Sequence, residues 1–290
     1  MIDDALLMEL ADCGSPEMLI GAILKHRPDM PRHVPINDIA ACVGIVEIKD
    51  REMDGFEGAL LANPEKTQGV IAVKAGTKPR RRRFTIGHEL GHFLIRSHGA
   101  SMHCTSKHMA ERGRATPEQK REAEANRFSA GLLMPKPMFI KDMDALGSAD
   151  VTHIRALSDL YDVSMEASAN RYVELSAERC AVLFSRDGVV RYARSSRDMA
   201  DLAIRAGDRL PPNSLTARTK AIGNATDWED LSGSIWLKSE WGQRTPPIFE
   251  QCLIQANGFR LTLLCINEAE ADEQDEDEAL AERWSYGFKK

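Results

Sequence analysis

The stretch "RRRFTIGHELGHFLIRSH", residues 81–98, carries two histidines four positions apart, His88 and His92, with Glu89 directly after the first. On a helix over residues 85–97, the two histidines lie on one face, one turn apart. Two imidazoles in this arrangement can bind one Zn²⁺ at roughly 2.0–2.1 Å each. Glu89 is offset by about 100° from His88, so it can face a water molecule beside the ion. The pattern H-E-x-x-H is typical of metallopeptidases in which this glutamate is the general base.

A later segment offers the third protein ligand that a catalytic zinc site needs. In "REAEANRFSAGLLMP", residues 121–135, helical spacing puts Glu122 and Asn126 on one stripe. We therefore expect Glu122 to bind the ion and Asn126 to hold one of the other ligands through its side-chain amide. Glu124 lies on a different stripe, with Phe128, and is the alternative third ligand.

The two segments "RRRFTIGHELGHFLI" and "EAEANRFSAGLLMP" resemble the ImmA/IrrE family of zinc metallopeptidases, and the resemblance extends over roughly residues 34–178. It implies a zincin-like (gluzincin-like) fold in which His88, His92 and Glu122 bind Zn²⁺ and Glu89 is the catalytic base. It also implies a substrate class, DNA-binding repressors with a helix–turn–helix domain, which are cleaved under stress or on an inducing signal.

The chain departs from the pattern of this family in two places. Many relatives carry a helix–turn–helix domain before the peptidase, and residues 1–35 do not predict one. Arg96 stands where relatives have a histidine, and His98 follows two residues later. His98, His103 and Tyr161 are candidates for stabilising the oxyanion that forms on a scissile carbonyl.

Two glycines within the motif and a run of arginines before it predict contacts with other parts of the protein or with a ligand. Gly87 and Gly91 cost about 1 kcal/mol each relative to alanine in a helix, which indicates close approach by another element or a ligand. The run Arg80 to Arg83 opposes the helix macrodipole, so we expect it to meet acidic groups of a substrate or of the acidic tail. Four arginines in an acidic chain are a weak sign of nucleic-acid binding.

Patterning along the chain predicts an α+β protein of two domains. Residues 1–177 form a zinc metallopeptidase domain with a helical N-terminus and a helix–turn–helix-like segment at 152–177. Residues 178–290 form a small α+β accessory or sensor domain with an acidic C-terminal tail. Turns at Asp187-Gly188 and Asn257-Gly258 predict two hairpins in this second domain. Further strands are predicted at "GALLAN", "QGVIAVKAG" and "GSIWLKSEW". By analogy with zincin-like folds, the second of these can pair with an extended substrate, and a plain core strand is an equally good interpretation.

Composition limits the class of protein. The chain has 290 residues, 43% hydrophobic and 28% charged, with a net charge of −6, as expected of a globular protein. The acidic balance argues against direct nucleic-acid binding.

Six cysteines without a CxxC pair argue against a disulfide framework or a cysteine zinc site. We find no signal peptide and no apolar run long enough to span a membrane, so we expect a cytoplasmic protein. The sequence does not specify an oligomeric state.

These observations predict a zinc-dependent endopeptidase that cleaves a cytosolic protein. The resemblance to the ImmA/IrrE family implies that this protein is a helix–turn–helix transcriptional repressor, cleaved in a stress or induction response. One alternative is a zinc-containing regulatory or binding module whose peptidase activity is latent or lost. A second alternative is a DNA-binding regulator that uses residues 152–177.

Overall fold

The computed structural model describes residues 3–104, 116–220, 222–239 and 245–266, with only the backbone described for 101–104. The chain forms two compact units. The first contains the described part of residues 1–141 and residues 158–167. The second contains residues 142–157 and the described part of 168–290. The predicted α+β class is confirmed in both.

Three short helices open the first unit: α1 (Asp4–Ala11), α2 (Pro16–His26) and α3 (Ile36–Cys42). Residues 12–15 separate α1 from α2. Ser15 accepts a hydrogen bond from the Met18 amide, and Pro16 occupies the first position of α2. Both residues favour a new helix start, because the cap satisfies an unpaired amide and proline lacks one.

A four-stranded mixed sheet forms the other layer of this unit. Its strands are β1 (Ile45–Arg51), β2 (Gly58–Ala62), β3 (Gly69–Lys74) and β4 (Ser101–Cys104), in the order β1-β3-β2-β4. Strand β3 pairs in parallel with β1 and antiparallel with β2, so both of its edges are already hydrogen-bonded. Of the two interpretations of "QGVIAVKAG", substrate pairing is therefore wrong and the core strand is confirmed, since β3 is a central strand. Sequence reasoning missed β4, which lies in a stretch interpreted as a polar connection.

Two long helices complete the unit: α4 (Pro79–Leu94) and α5 (Pro117–Leu133). Helix α4 packs against α5, β2 and β3, and nine consecutive residues, Thr85–Phe93, are buried. The predicted helix over 85–97 is displaced, because Pro79 starts α4 earlier and Ile95 leaves the helix with an extended backbone. The predicted second helix is confirmed as α5, followed by Pro135.

Helices α6 (Lys136–Leu146), α7 (Val151–Leu160) and α8 (Met165–Leu175) contribute residues to both units. The turn between α7 and α8 contains Asp162 with a positive φ of 49°. The helix pair predicted at 152–177 is thus confirmed as a structure. Residues 142–157 and 168–177, which the sequence analysis places in the first domain, lie in the second compact unit. The division at residue 178 into domains of separate function stays a prediction.

The second unit is built on an antiparallel sheet. Its strands are β5 (Cys180–Arg186), β6 (Val189–Ser195), β7 (Glu229–Leu231), β8 (Ile248–Ile254) and β9 (Phe259–Cys265), in the order β6-β5-β9-β8-β7. A one-turn helix α9 (Leu215–Arg218) also lies in this unit. Both predicted hairpins are confirmed, with positive φ at Asp187, Gly188, Asn257 and Gly258, as tight hairpin turns require.

The predicted strand "GSIWLKSEW" is wrong where the structure describes it. Residues Gly233–Ile235 form a 3₁₀ turn instead, and Trp236 follows it. The Trp236 side chain is fully buried, and its indole N–H donates to Glu250 at 2.7 Å. A buried indole requires a polar partner for its N–H, and Glu250 is that partner here. The acidic tail from residue 267 lies outside the described residues.

Candidate active site

Close packing of α4 on α5 brings the two motif segments together. A Cβ atom placed on Gly91 would lie 3.1 Å from Phe128 Cδ1 and 3.2 Å from Ala125 Cα. A Cβ on Gly87 would lie 2.6 Å from Ser129 Oγ. The sequence expectation that these glycines mark a close approach is confirmed: the approaching element is α5.

The start of α5 is fixed by its own sequence. Thr116 accepts a hydrogen bond from the Gln119 amide at 3.2 Å, and the Gln119 side chain accepts one from the Thr116 amide at 2.8 Å. This capping box, with Pro117 at the first helical position, satisfies amides that the helix cannot pair internally. Glu122 therefore occupies a defined position on the helix face directed at α4.

Three buried side chains meet between the two helices: His88 and His92 of α4 and Glu122 of α5. The two Nε2 atoms are 3.1 Å apart. The Nε2 atom of His88 lies 3.3 Å from Glu122 Oε2, and that of His92 lies 3.3 Å from Glu122 Oε1. The exposed fractions of His88, His92 and Glu122 are 4%, 0% and 2%, respectively. Together the three side chains form a group that could hold a metal ion.

The spacing of these donor atoms fits a small tetrahedral ion. Ligands bound to zinc at roughly 2.0–2.1 Å in tetrahedral geometry stand about 3.3–3.4 Å from one another. The 3.1 Å between the two Nε2 atoms and the 3.3 Å from each Nε2 to a Glu122 oxygen are close to this value. The part of the chain that the structure describes contains no other His/Cys/Asp/Glu group of this kind.

The electrostatics of the group favour the protonation state that binds a cation. Burial lowers the pKa of His92 to about 4, and the hydrogen bond with Glu122 only partly offsets this effect. Burial alone would raise the pKa of Glu122, but hydrogen bonds with His88 and His92 hold it well below its usual value. A neutral imidazole and an ionised carboxylate are the forms in which these side chains donate electron pairs to a metal.

Each histidine also contacts a partner through its other ring nitrogen. The Nδ1 atom of His88 lies 2.9 Å from Asn126 Oδ1, as the sequence predicts for a supporting amide. The Nδ1 atom of His92 lies 2.9 Å from His98 Nδ1. His98 in turn places its Nε2 3.0 Å from Glu124 Oε2. Glu124, the alternative ligand, thus contacts His98 and not the donor group, whereas Glu122 lies within it.

Glu89 is fully buried in α4 beside the histidines. The start of β2 approaches it: a Cβ atom on Gly58 would lie 2.5 Å from Glu89 Oε1 and 2.5 Å from Thr85 Cγ2. Only glycine leaves room for the Glu89 carboxylate at this place. Sequence reasoning did not single out Gly58, because the contact joins residues 31 positions apart in the chain.

Lys66 is a second residue that sequence reasoning missed. Its Nζ donates to the carbonyl oxygens of His92 at 2.8 Å and Ile95 at 2.9 Å, so it caps the C-terminus of α4. Burial lowers the pKa of Lys66 to about 8. Lys66 has a positive φ of 51° in the turn between β2 and β3, and the segment "NPEKT" identifies the turn but not the target of the lysine.

The three residues predicted as oxyanion stabilisers occupy different places. His98 is buried, with both ring nitrogens directed at His92 and Glu124, which favours a supporting role over contact with substrate. Tyr161 is fully buried, and its ring packs against Phe139. The side chain of His103 lies outside the described residues. The oxyanion role of all three stays a prediction.

The arginines before the motif contact carboxylates of the first unit itself. Arg80 donates to Asp159 Oδ1 at 2.7 Å, and Arg82 donates to Asp50 Oδ1 at 2.9 Å. Arg83 lies 3.4 Å from Asp162 Oδ2. The charge of these three arginines is therefore offset locally. The acidic tail lies outside the described residues, and contact of this run with the tail or with a substrate stays a prediction.

The two basic residues of the helix pair at 152–177 have contacts within the second unit. Arg155 donates to the Gly223 carbonyl oxygen at 2.9 Å, and Arg171 donates to Glu174 at 3.0 Å. The exposed positions of α8 include Glu166 and Glu174. An acidic outer face repels phosphate, so it does not suit a helix that reads DNA.

The buried His-His-Glu group and the H-E-x-x-H helix define a candidate metallopeptidase centre. A family model described as the IrrE N-terminal-like domain, peptidase family M78, matches residues 45–172, which include all residues of this centre. This match covers less than half of the chain and supports the resemblance to the ImmA/IrrE family.

Comparison with solved structures gives similarity to a Mycobacterium tuberculosis transcriptional regulator, with a TM-score of 0.47 and 13% identity. That similarity covers 91% of this chain and 74% of the other. A comparison with curated proteins gives no match. Within the described residues, no helix is both long enough and apolar enough to cross a bilayer.

Proposed function

We propose that this chain is a zinc-dependent endopeptidase that hydrolyses a peptide bond in another protein. The observation that carries the proposal is the convergence of His88, His92 and Glu122 as one buried donor group. This group lies within a segment that matches the model of a peptidase family. Two imidazoles and one carboxylate suit zinc and leave a fourth tetrahedral position for water or substrate.

The catalytic chemistry divides between the ion and Glu89. When bound, zinc polarises the scissile carbonyl and lowers the pKa of the attacking water. Glu89 accepts the proton from that water and delivers it to the amine leaving group. The wall that β2 forms at Gly58 keeps the Glu89 carboxylate in place, so the general base is positioned before a substrate binds.

The proposed substrate is a cytoplasmic transcriptional repressor with a helix–turn–helix domain, cleaved in a stress or induction response. Support for this class comes from the family resemblance. A regulatory module without activity is the less favoured alternative, because His88, Glu89, His92 and Glu122 are all present and buried together. A DNA-binding role for residues 152–177 is disfavoured by their acidic exposed face.

Metal content tests the ligand set. The purified chain should contain one zinc ion per molecule by elemental mass spectrometry, and Glu122→Ala should lose it. Glu89→Gln should keep the ion, since this residue is not assigned as a ligand. Full zinc content in Glu122→Ala would contradict the proposed site.

Substrate capture tests the reaction. Tagged Glu89→Gln, expressed in the host cell and crosslinked, should retain a protein that the wild-type chain cleaves in vitro. Cleavage should stop after the zinc is removed with a chelator and should return when zinc is added. Glu166→Gln, on the exposed face of α8, is the matched control and should cleave normally. Cleavage by Glu89→Gln at the wild-type rate would refute the mechanism.

A further inference from the structure

A chain of hydrogen bonds leaves the donor group on the far side of His92. It runs from His92 Nδ1 to His98 Nδ1 over 2.9 Å, and from His98 Nε2 to Glu124 Oε2 over 3.0 Å. We propose that His98 and Glu124 are positioning residues that fix His92 in the tautomer whose Nε2 donates to the ion. This inference rests on the proposed zinc site and assigns a supporting structure to one of its ligands.

The proton positions along this chain follow from the chemistry of the groups. A neutral imidazole has one N–H donor and one acceptor nitrogen. If Nε2 of His92 binds the ion, its proton is on Nδ1, which must then donate to Nδ1 of His98. His98 therefore carries its own proton on Nε2 and donates it to Glu124, whose carboxylate can only accept. One arrangement of protons satisfies every link.

His98 is buried, and its two ring nitrogens face His92 and Glu124. A neutral His98 can accept from His92, whereas a doubly protonated ring has no acceptor.

The position of His98 is set by the end of α4. The chain leaves the helix at Ile95, and the His98 amide donates to the Ile95 carbonyl oxygen at 3.1 Å. Lys66 holds the same carbonyl oxygen and that of His92. This turn returns the His98 ring to His92, with ring centroids 4.8 Å apart.

The two histidine ligands are thus held by different means. An amide oxygen of Asn126 contacts His88 directly, while His92 is connected to a carboxylate through a second imidazole. Partners of this kind fix ring orientation and increase ligand basicity, and their loss typically weakens metal affinity about 10- to 100-fold.

Four variants separate positioning from general stability. Glu124→Ala removes the outer end of the chain at a side chain that is 34% exposed. His98→Leu removes the acceptor for His92, whereas His98→Asn keeps a side-chain oxygen near the position of Nδ1. Glu118→Ala removes an exposed carboxylate from the first turn of the same helix and is the matched control.

The measurement is the Zn²⁺ affinity of the full-length chain in competition with a chromophoric chelator. We expect His98→Leu to lower the affinity about 10- to 100-fold and Glu124→Ala about 10-fold, with His98→Asn recovering most of the loss. Glu118→Ala should bind Zn²⁺ like the wild type. Unfolding of the metal-free chain in urea should give the same midpoint for Glu124→Ala and Glu118→Ala, because a positioning role does not require a change in stability.

Two results would overturn the inference: wild-type affinity in both His98→Leu and Glu124→Ala, or a His98→Asn variant that binds no better than His98→Leu. Neither result touches the proposed site itself, which depends on loss of zinc in Glu122→Ala. If His98→Leu does not fold, Glu124→Ala still decides whether the outer carboxylate contributes.

Discussion

The contact of α4 with α5 makes a quantitative prediction at Gly91. Alanine at this position should gain about 1 kcal/mol from helix propensity. Its Cβ, however, would lie 3.1 Å from Phe128 Cδ1 and 3.2 Å from Ala125 Cα, a few tenths of an ångström inside ordinary carbon–carbon contacts of about 3.5–4.0 Å. One of these atoms belongs to the backbone of α5, so rotation of a side chain cannot relieve the contact.

Overpacking of this kind typically costs about 1–3 kcal/mol. The gain from propensity offsets part of this cost. We therefore expect Gly91→Ala to lower the free energy of unfolding by between about zero and 2 kcal/mol. Zinc affinity should fall as well, because a shift of α5 moves Glu122 away from the two histidines of α4.

Gly21 provides the matched control. It lies on an exposed position of α2, and a Cβ there has no atom within 4 Å. Gly21→Ala should therefore stabilise the chain by about 1 kcal/mol through propensity alone. Urea unfolding of the metal-free chain, followed by far-UV circular dichroism, measures both variants. Hydrogen exchange of the α4 and α5 amides should show the loss of protection in Gly91→Ala. Equal stabilisation by the two substitutions would refute the packing argument.

Three further predictions concern single contacts. Gly58→Ala should abolish most cleavage while zinc content stays at one per chain, because the new Cβ displaces the Glu89 carboxylate; normal cleavage would contradict the role of this wall. Thr116→Ala should lower the free energy of unfolding by about 1 kcal/mol through loss of the N-cap, measured by urea unfolding, and Thr116→Ser should restore it. Lys66→Met should destabilise the metal-free chain by about 1–3 kcal/mol, because the carbonyl oxygens of His92 and Ile95 lose their donor. An unchanged midpoint of urea unfolding would show that the cap contributes nothing.

Local patterns were sufficient for the elements that local physics controls. Hairpin turns at Asp187-Gly188 and Asn257-Gly258 were predicted because a positive φ favours these residue types. The motif helix and α5 were predicted from apolar spacing, although the start of α4 was placed too late. Pro79 favours a helix start at its position, but the arginines that follow it oppose the helix macrodipole. The carboxylates that offset these arginines come from distant parts of the chain, so the sequence does not show them.

The sequence by itself predicted the two histidines of the candidate centre and limited the third ligand to Glu122 or Glu124, and the structure brought Glu122 to the histidines. Helical spacing alone put His88 and His92 on one face and separated Glu122 from Glu124, because side-chain direction on a helix depends only on position. Gly87 and Gly91 likewise predict the close approach of another element or a ligand, and the structure shows that this element is α5.

Tertiary structure decided what surrounds that donor set. The link from His92 through His98 to Glu124, the approach of Gly58 to Glu89 and the cap from Lys66 all join residues that meet only when separate elements pack. The central position of β3 was decided in the same way, because strand order is set by pairing between distant segments. Such contacts leave no periodic pattern in the sequence, so they cannot be predicted from a single sequence.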